Sequence, residues 1–239
     1  MNSLRKTTLI ALSTLAISCG GGGEGNDSED TPSIVRGFTL DQVLSLDPGP
    51  TYQAGVTGSD SEGNTYGGSY RVVNGAMESV DQILVTPSRR NIILNPTIFI
   101  SDPEPETIDQ GETRFIDRDG DLILFSITED GIIETSCEPD SRYRMPNIVS
   151  IGDSEQYPDL QCDDDSIIIR RWNVVDAGNG NAQLITISER STTGESSTES
   201  RNLISQTVVQ FTIDIRGNIL AFRTTRRTPS PEFTLTYGS

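Results

Sequence analysis

The sequence predicts an all-β domain, an antiparallel sandwich or barrel of ten or more short strands. In the clearest run, residues 203–215, apolar and polar residues alternate with a period of two, as in a sheet with one wet face. Residues 122–128 and 167–175 are apolar on both faces, which predicts central strands. Turns rich in Gly, Asp and Asn separate the runs at short intervals.

The other elements follow the same pattern along the chain. Residues 38–46 predict either one short helical turn or a first strand, ended by the sequence Asp47-Pro48-Gly49-Pro50. Residues 191–200 are rich in Ser, Thr and Glu and predict an exposed hairpin loop. Further strands are expected at residues 64–73, 79–86, 91–94, 97–100, 112–117, 148–151, 181–189, 218–225 and 233–237.

Three turns share the sequence Asp-x-x-Gly followed by Asn or Asp, and they begin at Asp60, Asp117 and Asp214. An Asp side chain can accept hydrogen bonds from backbone N–H groups inside such a turn. Gly adopts a positive φ without steric cost. Each sequence therefore predicts a hairpin with a type I turn and a bulge at the Gly.

The N-terminal segment has the three parts of an export signal. Arg5 and Lys6 are positive, residues 7–17 are mostly apolar but too short to span a bilayer, and small residues follow. An ordinary secretory signal is one interpretation. Ala16-Ile17-Ser18-Cys19 resembles the lipobox of bacterial lipoproteins, although that family usually has Leu where this chain has Ala16. The resemblance implies that Cys19 is diacylated and becomes the new N-terminus.

Three regions follow from this interpretation. Residues 1–18 are a lipoprotein signal peptide, predicted as a helix, and residues 19–35 are a flexible tether of Gly and acidic residues. Residues 36–239 form a single all-β domain. Gly20 is not Asp, and similarity to Gram-negative sorting rules then favours the outer membrane, at its periplasmic face or at the cell surface. Two or three acyl chains suffice for stable anchoring, so the membrane is an expected partner.

The charge balance restricts the partners of the domain. The chain has 18 basic and 35 acidic residues; without Arg5 and Lys6 there remain 16 Arg, no Lys and a formal charge of −19. This balance argues against binding to nucleic acid and against peripheral binding to anionic lipid. An envelope protein or a polysaccharide remains a possible partner. Three Arg pairs are expected to form surface ion pairs with the acidic excess: Arg89-Arg90, Arg170-Arg171 and Arg226-Arg227.

Lipidation of Cys19 would leave two further cysteines, Cys137 and Cys162. Export to an oxidising compartment predicts that they form a disulfide, and two buried free thiols are the alternative. With 24 residues between them, closure of the loop would contribute roughly 3–4 kcal/mol.

The residue types that are missing exclude several chemistries. There is no His in the chain and no Lys after Lys6, which excludes Ser-His-Asp, Cys-His and Ser-Lys catalysis, His-ligated zinc or haem, and a pyridoxal Schiff base. Glycoside hydrolysis by two carboxylates is the common mechanism that stays open. We therefore expect no catalytic residues and no cofactor in this domain.

Two clusters of Asp are candidate metal ligands. Asp117, Asp119 and Asp121 resemble part of an EF-hand loop, but their Gly is at position 4 and the flanks are strand-like, so a hydrogen-bonded β-turn is the favoured interpretation. Residues 163–165 are three adjacent Asp that could hold a divalent ion or simply be solvated. Neither is assigned as a metal site.

Trp172 is the single Trp of the chain. On a strand with Ile168 and Val174 it is expected in the core, packed against the disulfide. A sugar-stacking platform on the surface is the alternative.

Short motifs occur through the second half of the chain and near residue 60; they lie at residues 57–60, 66–70, 137–141, 145–146, 151–154, 162 and 172–180. Together they resemble a domain of predicted bacterial lipoproteins with unassigned function, over most of residues 50–239. The resemblance implies no activity. The expected function is a lipid-anchored envelope β-domain with a non-catalytic structural or interaction role. The alternatives are a carbohydrate- or calcium-binding module and a hydrolase with two carboxylates.

Overall fold

The structure, a computed structural model, describes residues 37–100, 105–192, 202–229 and 232–239. The predicted signal helix, the lipobox with Cys19 and the tether lie outside these residues, as does most of the predicted loop 191–200. The described residues from Gly37 onward belong to one compact unit. In this part of the chain, no helix has the length and apolar character needed to cross a membrane.

The described chain is almost entirely β-structure, as predicted. Its only α-helix within these residues is one short turn, α1 (Asp41–Leu44), which follows the two-residue strand β1. The strands are β1 (Phe38–Thr39), β2 (Gly49–Asp60), β3 (Thr65–Asn74), β4 (Glu78–Val80), β5 (Ile83–Ile98), β6 (Ile108–Asp117), β7 (Leu122–Glu129), β8 (Ile132–Pro139), β9 (Ile148–Val149), β10 (Ser154–Gln156), β11 (Leu160–Cys162), β12 (Ser166–Gly178), β13 (Asn181–Thr192), β14 (Leu203–Ile213), β15 (Ile219–Pro229) and β16 (Glu232–Gly238).

The strands form a closed antiparallel barrel of 12 strands, so the barrel is the predicted alternative that the chain adopts. Around the barrel the order is β12, β11, β8, β7, β6, β5, β3, β2, β16, β15, β14 and β13, and pairing of β12 with β13 closes the ring. β4 pairs with β5, β10 pairs with β12, and β1 pairs with β9. An eight-stranded barrel is just filled by its own side chains, so a wider ring needs additional groups in its interior.

The period-two pattern decides which side chains enter the barrel. On β14, Val209, Phe211 and Ile213 pack into the main core cluster, as the alternation predicts. The two ends of the predicted apolar face, Leu203 and Ile215, are instead exposed. The core also contains Tyr66 and Tyr70 of β3, Trp172 and Val174 of β12, Ala182 and Leu184 of β13, Phe222 of β15 and Leu235 of β16.

One end of the barrel is plugged by residues 37–48, which precede β2, and by residues 140–159, which connect β8 with β11. Phe38 and Leu40 are fully buried within the main core cluster. Gln42 fixes α1 to two barrel strands, because its amide donates to the Thr51 carbonyl at 3.3 Å and its Oε1 accepts from the Ile219 N–H at 2.7 Å. We call this the plugged end. The residues of the plug fill part of the interior volume that a ring of 12 strands leaves open.

Strand lengths differ from the prediction wherever Pro was taken as a strand end. β5 runs without interruption through Pro87 and Pro96 and takes in the predicted strand 91–94 with parts of those at 79–86 and 97–100, while a turn at Asp81 and Gln82 divides the predicted strand 79–86 between β4 and β5. The Pro87 carbonyl still accepts a hydrogen bond from the Gly75 N–H. β2 begins within the Pro-Gly-Pro sequence that was expected to end an element. β8 was not predicted as a strand, because its exposed Ile132 and Ile133 follow a turn without clear alternation.

Candidate functional site

The three Asp turns have the predicted geometry. In each turn the first Asp accepts two backbone N–H groups on its Oδ1 at 2.9 Å, from the residues two and four positions later. The Gly of each turn has a positive φ of 80–92°. In two turns the final Asn also donates its amide to Oδ2 of the first Asp at 2.8 Å. These carboxylates are therefore engaged in holding their own hairpins.

The turn with Asp117, Asp119 and Asp121 has no final Asn, and Arg142 takes the place of its amide. The Arg142 Nη1 lies 3.7 Å from Oδ2 of the buried Asp117. The backbone N–H groups of Asp119 and Asp121 both donate to Oδ1 of Asp117, so this carboxylate is engaged in holding its own turn. Among the residues that the structure describes, no group of three or more His, Cys, Asp or Glu could hold a metal ion.

The run of acidic residues at 163–165 is divided between different partners. Asp163 accepts from the Thr135 hydroxyl at 2.5 Å and from the Ser136 N–H at 3.1 Å. Asp164 accepts from Ser166 and forms an ion pair with Arg190. These contacts fix the tight turn between β11 and β12 and do not assemble a ligand set.

The predicted disulfide between Cys137 and Cys162 is present and joins directly opposed residues of β8 and β11. Trp172 is buried with 4% of its surface exposed, as predicted, and its Nε1 donates to the Tyr143 hydroxyl at 2.9 Å. It belongs to the main core cluster, whereas Cys137 packs with Phe125, Leu160 and Ile168 in a second cluster. The buried indole is not a surface platform for sugar.

The expectation that the Arg pairs form surface ion pairs is wrong for one member of each pair. Successive residues of a strand point to opposite faces, so one Arg of a pair enters the barrel and its neighbour faces out. Arg170 is only 7% exposed, whereas the side chain of Arg171 is 51% exposed and pairs with Glu189. Arg90 and Arg226 are the inward members of the other two pairs, and both line the barrel interior.

Three inward guanidinium groups share one carboxylate inside the barrel. We call Arg90, Glu112, Arg114 and Arg170 the arginine cluster. Arg90 on β5 is directly opposite Glu112 on β6, and Arg114 lies two residues further along the inner face of β6. Arg170 enters from β12, which is separated from β6 around the ring by β7, β8 and β11. The barrel therefore brings together charges that are far apart in the sequence.

The single carboxylate does not satisfy the three cations. The Arg114 Nη2 lies 2.7 Å from the Glu112 Oε1, whereas the Arg90 Nε lies 3.5 Å from the same oxygen without hydrogen-bond geometry. Arg170 lies over the Tyr157 ring at 4.8 Å and over the Phe125 ring at 5.9 Å. Among the described residues, the buried Nε atoms of Arg90, Arg114 and Arg170 have no hydrogen-bond partner.

The electrostatics of the cluster show an excess of positive charge. Burial alone would raise the pKa of Glu112, but Arg114, Arg90 and Arg170 more than offset it and the pKa is lowered. Burial lowers the pKa of Arg170 to about 10, and the neighbouring Arg114 lowers it further. A guanidinium ordinarily stays protonated far above this value. For Arg114, by contrast, the paired Glu112 more than offsets the effect of burial and the pKa is raised.

Two cavities meet at the cluster. Arg90, Arg114 and Thr186 line both of them, whereas Arg170 lines the smaller cavity and Glu112 the larger one. The smaller cavity, about 80 Å³, lies toward the plugged end and is otherwise mostly apolar, with walls that include Val43, Leu44, Ile116, Leu122, Met145, Leu184 and Phe211. The larger cavity, about 210 Å³, extends away from the plug and is lined by polar side chains that include Gln110, Glu129, Glu134, Ser188, Arg190, Ser205, Thr207 and Arg226.

The sequence did carry a signal for this site. Arg170 falls on the same parity as Ile168, Trp172 and Val174, all of which are buried, so the alternation that predicts the core also turns Arg170 inward. Glu112 and Arg114 likewise share a parity on β6. The net charge of the chain suggests surface ion pairs for two adjacent Arg, but their positions on a strand place one of them inside the barrel.

No family model, curated protein or solved structure matches the chain. The chemistry of the site therefore follows from its own residues.

Proposed function

We propose that the chain is a lipid-anchored, non-catalytic binding protein of the bacterial outer membrane, and that its barrel interior holds a small ligand. The sequence support for the anchor is the export signal that ends in the lipobox-like Ala16-Ile17-Ser18-Cys19. The support for binding is one observation, the 210 Å³ cavity whose wall contains buried polar atoms without partners. Buried polar groups in proteins are nearly always hydrogen-bonded, so such atoms indicate a missing partner.

A concave site with a few convergent polar groups inside a rigid scaffold is the usual form of a small-molecule site. The plug closes one end of the barrel, and the wide ring leaves room for a guest that an eight-stranded barrel would not have. A binding role therefore fits the interior better than a purely structural one.

The alternatives receive less support from the same residues. A hydrolase with two carboxylates needs a general acid with a raised pKa. The pKa of Glu112, the carboxylate at the centre of the cluster, is lowered. The carboxylates of Asp60 and Asp214 accept hydrogen bonds within their own turns, so these turns do not favour calcium binding.

Mass spectrometry of the full-length protein, purified from bacterial membranes, tests both parts of the proposal. The denatured chain should have the mass of residues 19–239 plus two or three acyl chains, and the native protein should carry an additional non-covalent small molecule. Thr186→Phe, which projects an aromatic ring from a position lining both cavities, should remove that molecule. Ile185→Phe, on the opposite face of the same strand, should retain it.

Either part can fail separately. An uncut chain, or an unmodified chain of residues 19–239, would refute the lipid anchor. Native wild-type protein that carries no small molecule, and that is indistinguishable from Thr186→Phe, would refute the binding role.

A further inference from the structure

We infer that the arginine cluster is an anion site, and that the ligand of the barrel is a small organic anion whose carboxylate or phosphate head binds Arg90, Arg114 and Arg170. The inference rests on the proposed binding function and specifies the chemistry of the ligand. It assigns a role to charged residues that neither the ion pairs nor the folding of the barrel explains.

Positive charges outnumber negative charges in the arginine cluster. The cluster has three guanidinium groups and one carboxylate, while the chain without its first 18 residues has a formal charge of −19. A protein with this acidic excess has abundant carboxylates to neutralise an interior cation, yet only Glu112 enters the cluster. An uncompensated buried charge is strongly unfavourable, so such a cluster persists where a ligand or solvent completes it.

The guanidinium groups of the cluster also have hydrogen-bond donors without acceptors in the part of the chain that the structure describes. The three Nε–H groups are buried and have no partner among the described residues, and Arg170 is more than nine-tenths buried. Arg presents a planar fork of donors and no acceptor. Such a fork matches the two oxygens of a carboxylate or a phosphate, and charge-assisted bonds of this kind are the strong ones. A cation would be repelled, and a neutral ligand would leave the excess charge in place.

The walls around the cluster define the rest of the ligand. The smaller cavity on the plug side is lined mainly by apolar side chains such as Leu44 and Phe211, whereas polar and apolar groups line the larger cavity in similar measure. Tyr157 and Phe125 lie beneath the Arg170 guanidinium. An anion that carries a short apolar or aromatic group would therefore find its head among the guanidinium groups and its apolar part beside them.

Glu112 is a positioning residue in this site. Its ion pair with Arg114 at 2.7 Å holds one guanidinium in place and leaves the Nε of that side chain unpartnered. It also removes one unit of positive charge and so competes with an incoming anion. Replacement by the neutral Gln keeps the shape of the side chain and removes the competition, so Glu112→Gln should bind anions more tightly.

The test compares probes that differ mainly in charge at the head group: benzoate, phenyl phosphate, the neutral benzamide and the cationic benzylamine. Binding to the full-length protein in detergent is measured by isothermal titration and by the fluorescence of Trp172. We expect benzoate or phenyl phosphate to bind at least about tenfold more tightly than benzamide, because the head gains charge-assisted hydrogen bonds. The tighter of the two anions identifies the head group.

The chain supplies its own matched control. Arg170→Met should abolish the preference for anions, whereas Arg171→Met, which changes the outward-facing neighbour on the same strand, should leave it unchanged. Glu112→Gln should raise the anion affinity about threefold or more, which a merely structural role would not do. Unchanged circular dichroism of each variant confirms that the barrel is folded.

Two results would overturn the inference. Equal affinity for benzoate and benzamide would show that the head group is not recognised by charge, although the small molecule found by native mass spectrometry would still support the binding role. No saturable binding of any anion to wild type or to Glu112→Gln would show that solvent alone completes the cluster.

Discussion

At the scale of single residues, the interior of this barrel combines an ion pair with unpaired donors. Glu112 holds Arg114 at 2.7 Å, while Arg170 is covered by the rings of Tyr157 and Phe125. Buried ion pairs contribute little net stability compared with apolar residues, but removal of one partner leaves an uncompensated charge. The cluster therefore costs the unliganded protein stability, which a binding function would explain.

Glu112→Gln should lower the free energy of unfolding at pH 7 by about 2 kcal/mol, because it leaves the guanidinium groups without a counter-charge. The folded-state pKa of Glu112 is lowered from 4.5. Its carboxylate therefore stabilises the fold above the unfolded-state pKa, and this stabilisation is lost as the pH falls through the lower folded-state pKa. Urea unfolding at several pH values should show the difference between wild type and variant narrowing below pH 4.5. A constant difference down to acid pH would contradict this account.

At the scale of strands, the walls of the barrel depend on close backbone approach as well as on alternation. Gly68 of β3 lies opposite Val56 of β2 and Leu94 of β5. A Cβ at Gly68 would lie 1.8 Å from the Ile93 carbonyl oxygen, which belongs to the backbone and cannot rotate away. The inner surface at this point has room for a hydrogen atom only.

Gly68→Ala should therefore lower the free energy of unfolding by about 3 kcal/mol, because the pairing of β3 with β5 must shift to admit the methyl group. Gly55→Ala is the matched control, since nothing lies within 4 Å of a Cβ built at Gly55 on the neighbouring strand. Its effect should stay within about 0.5 kcal/mol. Chemical unfolding of both variants measures the two values. Equal effects would show that the close approach does not matter.

Local sequence patterns predicted the elements better than their extent or their partners. The turns at Asp60, Asp117 and Asp214 were predictable because their hydrogen bonds lie within five residues of chain. The continuation of β5 through Pro87 and Pro96 was not predictable, because the long-range pairing of β5 with β3 and β6 overrides the local effect of Pro.

Ring closure depends on contacts that no local pattern contains. β16 pairs with β2 across most of the chain, and β8 pairs with β11 around the excursion of residues 140–159. The disulfide was predictable from the number of cysteines and the compartment. The arginine cluster was predictable only in part. The alternation of side chains along β12 places Arg170 inside the barrel, but it does not show that Arg90 and Arg114 lie close to it.

At the scale of the whole molecule, the chain is strongly acidic, whereas several of its Arg side chains line the interior of the barrel. Residues 19–239 carry a formal charge of −19, yet four of their 16 Arg line the larger cavity, namely Arg90, Arg114, Arg190 and Arg226, and Arg170 lines the smaller one. Glu112, Glu129 and Glu134 also line that cavity, so the positive excess is local to the arginine cluster, where three guanidinium groups surround one carboxylate. Such an excess concentrates the opposite ion, whereas the acidic exterior of this protein repels anions at a distance. The negative field of the exterior therefore slows the entry of an anion, and the positive field of the arginine cluster holds the anion once it is bound.

This separation predicts an unusual dependence on salt. The association rate of benzoate should rise as salt increases, because screening weakens the long-range repulsion from the acidic exterior. The dissociation rate should change much less, because the bound head is buried among the guanidinium groups. Stopped-flow fluorescence of Trp172 at increasing salt concentrations measures both rates. An association rate that falls with salt would contradict the proposed charge distribution.

The central claim is that the arginine cluster binds the anionic head of a ligand, and crystals of the protein grown with 4-bromobenzoate test it most directly. We expect an anomalous bromine peak inside the barrel, with the carboxylate within about 3.2 Å of guanidinium nitrogens of the cluster. Arg170→Met crystals should lack that peak. Bromine found only outside the barrel, with water molecules alone on the three Nε–H groups, would contradict the claim.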